Sequence, residues 1–302
     1  MAVSSRSLPA ALSLALSVAA CGSATSDEGA PAGAGTGGSS TGQGGSGGAG
    51  VSLPDPGSPP ASAVGIFSFQ RLAGPTSKGG VTFGGWFQSP PRALSTPDVV
   101  SMLKGYPGIP LDTCSGPLPK YSVSGSQVTT LDGGALTIVD PSGASHAVKK
   151  QAVASFVTYQ GELPEAAFVP GGRYALTAPS QQLAGDFYAP GALVLTSPSP
   201  SKPLTPDGKD LVVTWTSVPD GRPVLIRLHQ DEIDVVCRVT DDGEFTIPAK
   251  VFQSFGKPST EPGSTDEATF SVVHSAWWAM GDGANATLVF ADVGAKLPMH
   301  LP

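Results

Sequence analysis

The chain has 302 residues, with 39 Gly, 30 Pro, 14% charged residues and a formal net charge of −7. So acidic and charge-poor a composition lacks the basic face that nucleic-acid binding requires, and excludes that class. The length accommodates one large or two small domains, each with its own core.

Residues 1–20 have the parts of a secretory signal: Arg6 and the α-amino group supply positive charge, and Leu8 to Ala20 form an uncharged run. At roughly a dozen residues that run falls short of the ~20 needed to span a bilayer as a helix, so it reads as a cleaved signal peptide. It ends in Val18-Ala19-Ala20-Cys21. This stretch resembles the lipobox of bacterial lipoproteins, with an aliphatic residue at −3, small residues at −2 and −1, and Cys at +1. The resemblance implies a thioether-linked diacylglycerol on Cys21, cleavage before it and acylation of the new N-terminus. Each buried CH₂ contributes about 0.8 kcal/mol, so two or more acyl chains anchor stably where one is marginal. Gly22 and Ser23 follow with no Asp at +2. By the family's sorting rule that implies the outer membrane or cell surface.

Residues 21–62 read as a disordered tether of Gly, Ser, Ala, Thr and Pro, with no aromatic residue. Such a segment buries too little apolar surface to offset its ordering entropy. As a Gly-rich coil it would span roughly 35 Å, and fully stretched roughly 140 Å. Its Pro-rich end, Leu53 to Pro60, marks the domain boundary. Matches to G-x-S-x-G (Gly38 to Gly42, Gly44 to Gly48) and G-x-G-x-x-G (Gly33 to Gly38) fall inside this segment. They lack the strand before and helix after that give those motifs meaning.

A first domain is expected over residues 63–197. Strand candidates are 64–70, 81–87, 120–123, 127–131, 135–139, 154–160, 173–177 and 192–196, short β-branched and aromatic runs between turn residues. One helix is expected, with Thr96 as N-cap, Pro97 at N1 and a stop at Gly105. It carries Ser101-Met102-Leu103-Lys104, and Ser254-Phe255-Gly256-Lys257 repeats the S-x-x-K spacing. The K-T-G and S-D-N elements that complete such a nucleophile site are missing from the sequence, so both read as surface Ser and solvated Lys.

The proline-marked joint Ser197 to Pro203 reads as a semi-rigid linker to a second domain, 203–302. Its strands alternate cleanly. Leu211, Val213 and Trp215 share one face, as do Val224, Ile226 and Leu228, then Val235, Cys237 and Val239, while Arg227 and His229 point outward. Phe245 and Ile247 return to the core, a helical turn follows over 249–255, and the last strands are 268–278 and 286–292. A Trp on an early strand of this series resembles fibronectin type III and related immunoglobulin-like sandwiches, over roughly a hundred residues. The run from Cys237 to Ala249 also resembles the C-terminal β-domain of tethered bacterial lipoproteins, a resemblance that implies no activity. The fold expected is all-β, two β-sandwich domains after a disordered tether.

Three sets of residues can carry chemistry. Cys114 and Cys237 are the cysteines left beside Cys21, and export permits a disulfide between them. The alternative is two unpaired thiols, because Cys237 lies on a core face and Cys114 in a loop of the other domain. Acidic residues gather as Asp207, Asp210, Asp231, Glu232 and Asp234 near one end of the second sandwich, and as Asp220, Asp241, Asp242 and Glu244 near the other. Strands of about six residues hold the groups ~20 Å apart. No D-x-D-x-D-G loop accompanies them, so solvated turn carboxylates are favoured over calcium ligands. Trp277 and Trp278 are adjacent on a strand and face opposite ways. Trp278 joins Phe270, Val272 and Ala276, which leaves Trp277 outward, where it can stack on a sugar or a partner protein, although packing under the first domain or a loop is the favoured reading. His146, His229, His274 and His300 show no metal-ligand spacing, and His274 reads as an inner, hydrogen-bonded residue.

The sequence therefore points to an exported, membrane-anchored protein that is not an enzyme, with no cofactor and no metal, acting as an interaction or structural module. Its partners are the membrane, through the N-terminal lipid, and an envelope protein or polysaccharide. Alternatives are glycan or cell-wall binding through Trp277, and a hydrolase whose site is assembled from distant loops.

Overall fold

The computed structural model describes residues 50–75, 80–93, 108–119, 129–153, 156–230, 233–256, 268–281 and 286–301. The signal peptide, the lipobox with Cys21, the tether up to residue 49, the helix expected after Thr96, the strand expected at 120–123, Ser101 to Lys104 and Lys257 lie outside them.

The described chain is all-β. Two long N-terminal strands, β1 (Ser62–Ala73) and β2 (Val81–Ala93), are followed by two short ones, β3 (Thr113–Cys114) and β4 (Leu118–Pro119). Then come β5 (Thr129–Leu131), β6 (Leu136–Val139), β7 (Ser145–Val153), β8 (Phe156–Leu163), β9 (Arg173–Ala178) and β10 (Leu183–Tyr188). The second half holds β11 (Leu193–Ser197), β12 (Leu211–Ser217), β13 (Val224–Gln230), β14 (Ile233–Val239), β15 (Glu244–Ile247), the one-turn helix α1 (Ala249–Phe252), β16 (Thr269–Met280) and β17 (Ala286–Pro298).

The second sandwich sets the three-stranded sheet β11-β12-β15 over the four strands β14-β13-β16-β17. Three strands facing four, with β14 and β15 joined across the sheets, is an immunoglobulin-like arrangement. The alternation read from the sequence holds on its inner face: Val213, Trp215, Val224, Ile226, Leu228, Val235, Cys237, Val239 and Ile247 are all buried in one cluster. The first sandwich sets β10-β9-β6-β7 over β8-β2-β1-β17-β16. β7 pairs with β6 through Ser145–Val148 and with β8 through Lys149–Val153, so it turns the corner between the two layers. Stacked aromatics fill this core, among them Phe67 on Phe83 and Tyr174 on Phe187.

The two sandwiches share strands. On one face of β16, Phe270 and Val272 lie in the second core while Ala276, Trp278 and Met280 lie in the first. β17 does the same in reverse, with Val289 and Ala291 in the first core and Ala295 and Leu297 in the second. β1, the first strand after the tether, pairs in parallel with β17 from Ala63↔Ala286 to Ala73↔Ala295. A parallel pair needs a long connection, and here it is nearly the whole chain.

Two expectations about boundaries change. The proline joint lies inside a hairpin: β11 and β12 pair across it, Leu193 and Leu195 pack in the second core, and Leu204 bridges to Met299. The tether was expected to stay disordered to residue 62, yet the Val51 amide donates to the Pro219 carbonyl at 2.9 Å and Leu53 packs on the first core. Val51 and Leu53 are the first large apolar residues after a long Gly/Ser run, and the prolines that follow lower the entropy lost on docking.

Candidate functional site

The polar cluster with the most connections among the described residues sits where the two cores meet. His274 lies on β16 between Val272 of the second core and Ala276 of the first, and is fully buried. Its Nδ1 is 2.9 Å from the carbonyl oxygen of Gly191, in the crossover from β10 to β11. Its Nε2 is 3.1 Å from Asp241 Oδ2, in the turn between β14 and β15. The other oxygen of Asp241 accepts from Trp215 Nε1 at 2.8 Å and from Ser217 Oγ at 2.7 Å. The Gly191 amide in turn donates to Asp220 Oδ2 at 3.0 Å. Gly191 is glycine because of this approach: a Cβ there would run into the backbone oxygen of Val218 and press on His274 Nδ1.

Electrostatics follow from the geometry. Burial disfavours charge on His274, but the hydrogen bond to Asp241 and the field of Asp220 outweigh it and hold its pKa above the ordinary 6.5. Burial likewise opposes charge on Asp241, and the donors His274, Trp215 and Ser217 overcome it and lower its pKa. A serine, a histidine and a carboxylate are thus joined, but with the carboxylate in the middle. A nucleophile needs its hydroxyl on the imidazole and a route to substrate. Here Ser217 donates to Asp241, both ring nitrogens are engaged, and the ring is closed to solvent. The arrangement holds elements together; it does not activate a hydroxyl.

A second buried set, Arg227, Ser275 and Asp292, crosses the opposite face of the same strands. Arg227 Nη2 donates to Ser275 Oγ at 3.3 Å, and Ser275 Oγ to Asp292 Oδ1 at 2.6 Å. Arg227 was expected to face solvent; instead it is 8% exposed.

For Trp277 the structure decides between the two readings: it is 1% exposed and packs with Ala63, Ile66, Trp86, Leu288 and Phe290, which rules out the sugar-stacking alternative. Alternation separates the two faces of a strand, but this sheet is covered on both. Trp277 therefore offers no stacking surface.

Cys114 and Cys237 are bridged. The short β3 carrying Cys114 adds to the edge of β14, with Cys114 opposite Cys237 and Thr113 opposite Arg238. Asp112 secures the strap by accepting from Thr240 N at 2.7 Å and Thr240 Oγ1 at 3.0 Å. Beside the bridge lies a shallow groove of about 350 Å³ lined by Ile109, Pro110, Cys114 and Leu118.

The acidic residues of the second sandwich serve its turns one by one. Asp207 takes the Lys209 amide, Asp210 the Ala249 amide, and Asp220 the Arg222 amide, while Asp234 pairs with His229 at 2.7 Å. Asp231 and Glu232 lie outside the described residues. Among the described residues no three His, Cys, Asp or Glu side chains converge on a metal position.

No protein-family model and no curated protein sequence matches the chain. Solved structures that match include the tandem immunoglobulin repeats of Dlar, at 12% identity and a TM-score of 0.22, covering 82% of this chain and 99% of that one.

The seam cluster was only partly visible in the sequence. His274 was read as a satisfied inner residue, but nothing in the spacing of 191, 220, 241 and 274 announces that a crossover, a loop, a turn and a strand meet there.

Proposed function

We propose that the chain is a lipid-anchored protein of the bacterial cell envelope, held in the membrane through Cys21, that acts as a non-enzymatic interaction or structural module. The lipobox-like Val18 to Cys21 and the Gly/Ser segment after it support the anchor. The observation that carries the module reading is the pair of strands β16 and β17, each of which belongs to both cores. Two sandwiches built on the same strands form a stiff body suited to spacing or presenting surfaces, with β1 continuing directly from the anchored N-terminal side.

Fractionation of cells producing the wild type and Cys21→Ser, with mass spectrometry of the mature N-terminus, tests the anchor. The wild type is expected in the membrane fraction with an acylated Cys21, and the variant outside it. An unmodified N-terminus elsewhere overturns the anchor. Ester or glycoside hydrolysis that disappears in Ser217→Ala overturns the non-enzymatic reading.

A further inference from the structure

The inner face of β16 reads Phe270 and Val272 in one core, then His274, then Ala276 and Trp278 in the other. A buried position flanked on both sides by apolar side chains is where an apolar residue is expected, and a histidine there has to be held by partners. Its partners come from both directions along the molecule. Gly191 belongs to the crossover that carries the chain from the first sandwich to the second, and Asp241 to a turn of the second. Both partner atoms are oxygens that only accept: a backbone carbonyl, and a carboxylate kept ionised by Trp215 and Ser217. Two acceptors on two ring nitrogens require two N–H groups, which only the imidazolium has.

We propose that His274 is a charge-dependent lock between the two sandwiches: as the imidazolium it ties the Gly191 crossover to the Asp241 turn, and on losing a proton it lets the crossover go. The direction is set by acceptor strength. The carboxylate keeps the remaining proton on Nε2, so deprotonation leaves the Nδ1 lone pair facing the Gly191 oxygen at 2.9 Å, an acceptor against an acceptor. The crossover then loses the His274 clamp and is pushed at the Gly191 carbonyl, next to the bond in which the Ala192 oxygen accepts from the Val218 amide at 2.8 Å, while the Gly191 amide stays on Asp220.

The charged groups that face the ring are Asp241 from the β14–β15 turn and Asp220 from the β12–β13 loop. Arg222, in that same loop, faces Asp220 and Asp55 and lies over the Trp278 ring. Across β17 the residue opposite His274 is Val293, which carries no charge. Both carboxylates favour the charged ring. A histidine whose pKa is raised contributes fully below its ordinary 6.5 and loses that contribution as pH rises through the raised value. The lock is therefore closed in acid and opens as pH rises through the raised value.

The test is an NMR titration of the His274 ring in the folded protein from about pH 5 to about pH 9, with amide hydrogen exchange read over the same range. The ring is expected to titrate above its ordinary 6.5. As it titrates, protection of the Val218 amide, which donates to the Ala192 oxygen beside Gly191, should fall about tenfold per unit of pKa elevation once corrected for the intrinsic effect of pH. The Leu228 amide in the second core should not change. His274→Gln, neutral at every pH, should give low Val218 protection without the pH step. Asp241→Asn should bring the ring's titration down. A ring that titrates at or below its ordinary 6.5, or Val218 protection that stays level while the ring titrates, overturns the lock. The wild-type titration decides this even where a variant fails to fold.

Discussion

Cys114 and Cys237, separated by 123 residues, stand directly opposite each other on paired strands and are joined. The bridge fastens residues 108–119, which precede most of the first sandwich in sequence, to the edge strand β14 of the second. An edge strand with free backbone groups invites pairing with another chain, and the strap covers it. Closing so long a loop restricts the unfolded chain. Cys114→Ser, or reduction of the wild type, should therefore lower unfolding stability by about 2–5 kcal/mol, seen as an earlier denaturant midpoint. Thiol labelling of the unfolded, unreduced protein should find no free Cys114 or Cys237.

Trp277 fills the outer face of the sheet against Trp86 and Phe290. Trp277→Ala should cost about 3–5 kcal/mol by leaving a cavity, measured by urea unfolding. Retention on peptidoglycan or surface polysaccharide by the folded variant should match the wild type. A variant of undiminished stability that has lost such binding would place Trp277 at a surface instead.

Gly191→Ala puts a methyl group against the Val218 carbonyl and the His274 ring. Relief requires the crossover to move, and the expected loss is about 2 kcal/mol. A melting curve equal to the wild type's would show that the crossover is not held against β12.

Asp140 closes the turn before β7. Burial opposes its charge, but bonds from the Ser142 hydroxyl, His146 and the amides of Ser142 and Ala144 prevail and bring its pKa down to about 2 from 3.8. A depressed carboxylate stabilises the fold above its unfolded value and loses that contribution as pH falls through the folded one. Stability should thus decline between pH 3.8 and about 2 more steeply in the wild type than in Asp140→Asn. Parallel acid unfolding curves would contradict this.

Residue periodicity by itself determined the class of fold and most of the second sandwich. Val213 and Trp215, Val224, Ile226 and Leu228, and Val235, Cys237 and Val239 are buried on the face so predicted, while on β13 and β14 the other face buries Leu225, Arg227 and Val236 as well. Two strands of the first sandwich, β7 and β10, carry little sequence signal. β7 carries Lys149, Lys150 and Gln151 on a stretch that is largely exposed, and β10 opens with Leu183, Ala184 and Gly185, so neither shows a strong β signature.

Only the tertiary structure decided which faces are covered, because alternation distinguishes two sides of a strand and is silent on whether both are packed. Trp277 and Arg227 are inside for that reason. Sequence distance also hid the pairing of β1 with β17, which joins segments by backbone bonds that carry no residue-specific signal; the Cys114–Cys237 bridge was one of two readings open in the sequence, and the pairing of β3 with β14 decided it. The seam around His274 is the sharpest case. Its four anchoring positions, 191, 220, 241 and 274, are each ordinary in the sequence, and become one network only where two cores share their strands.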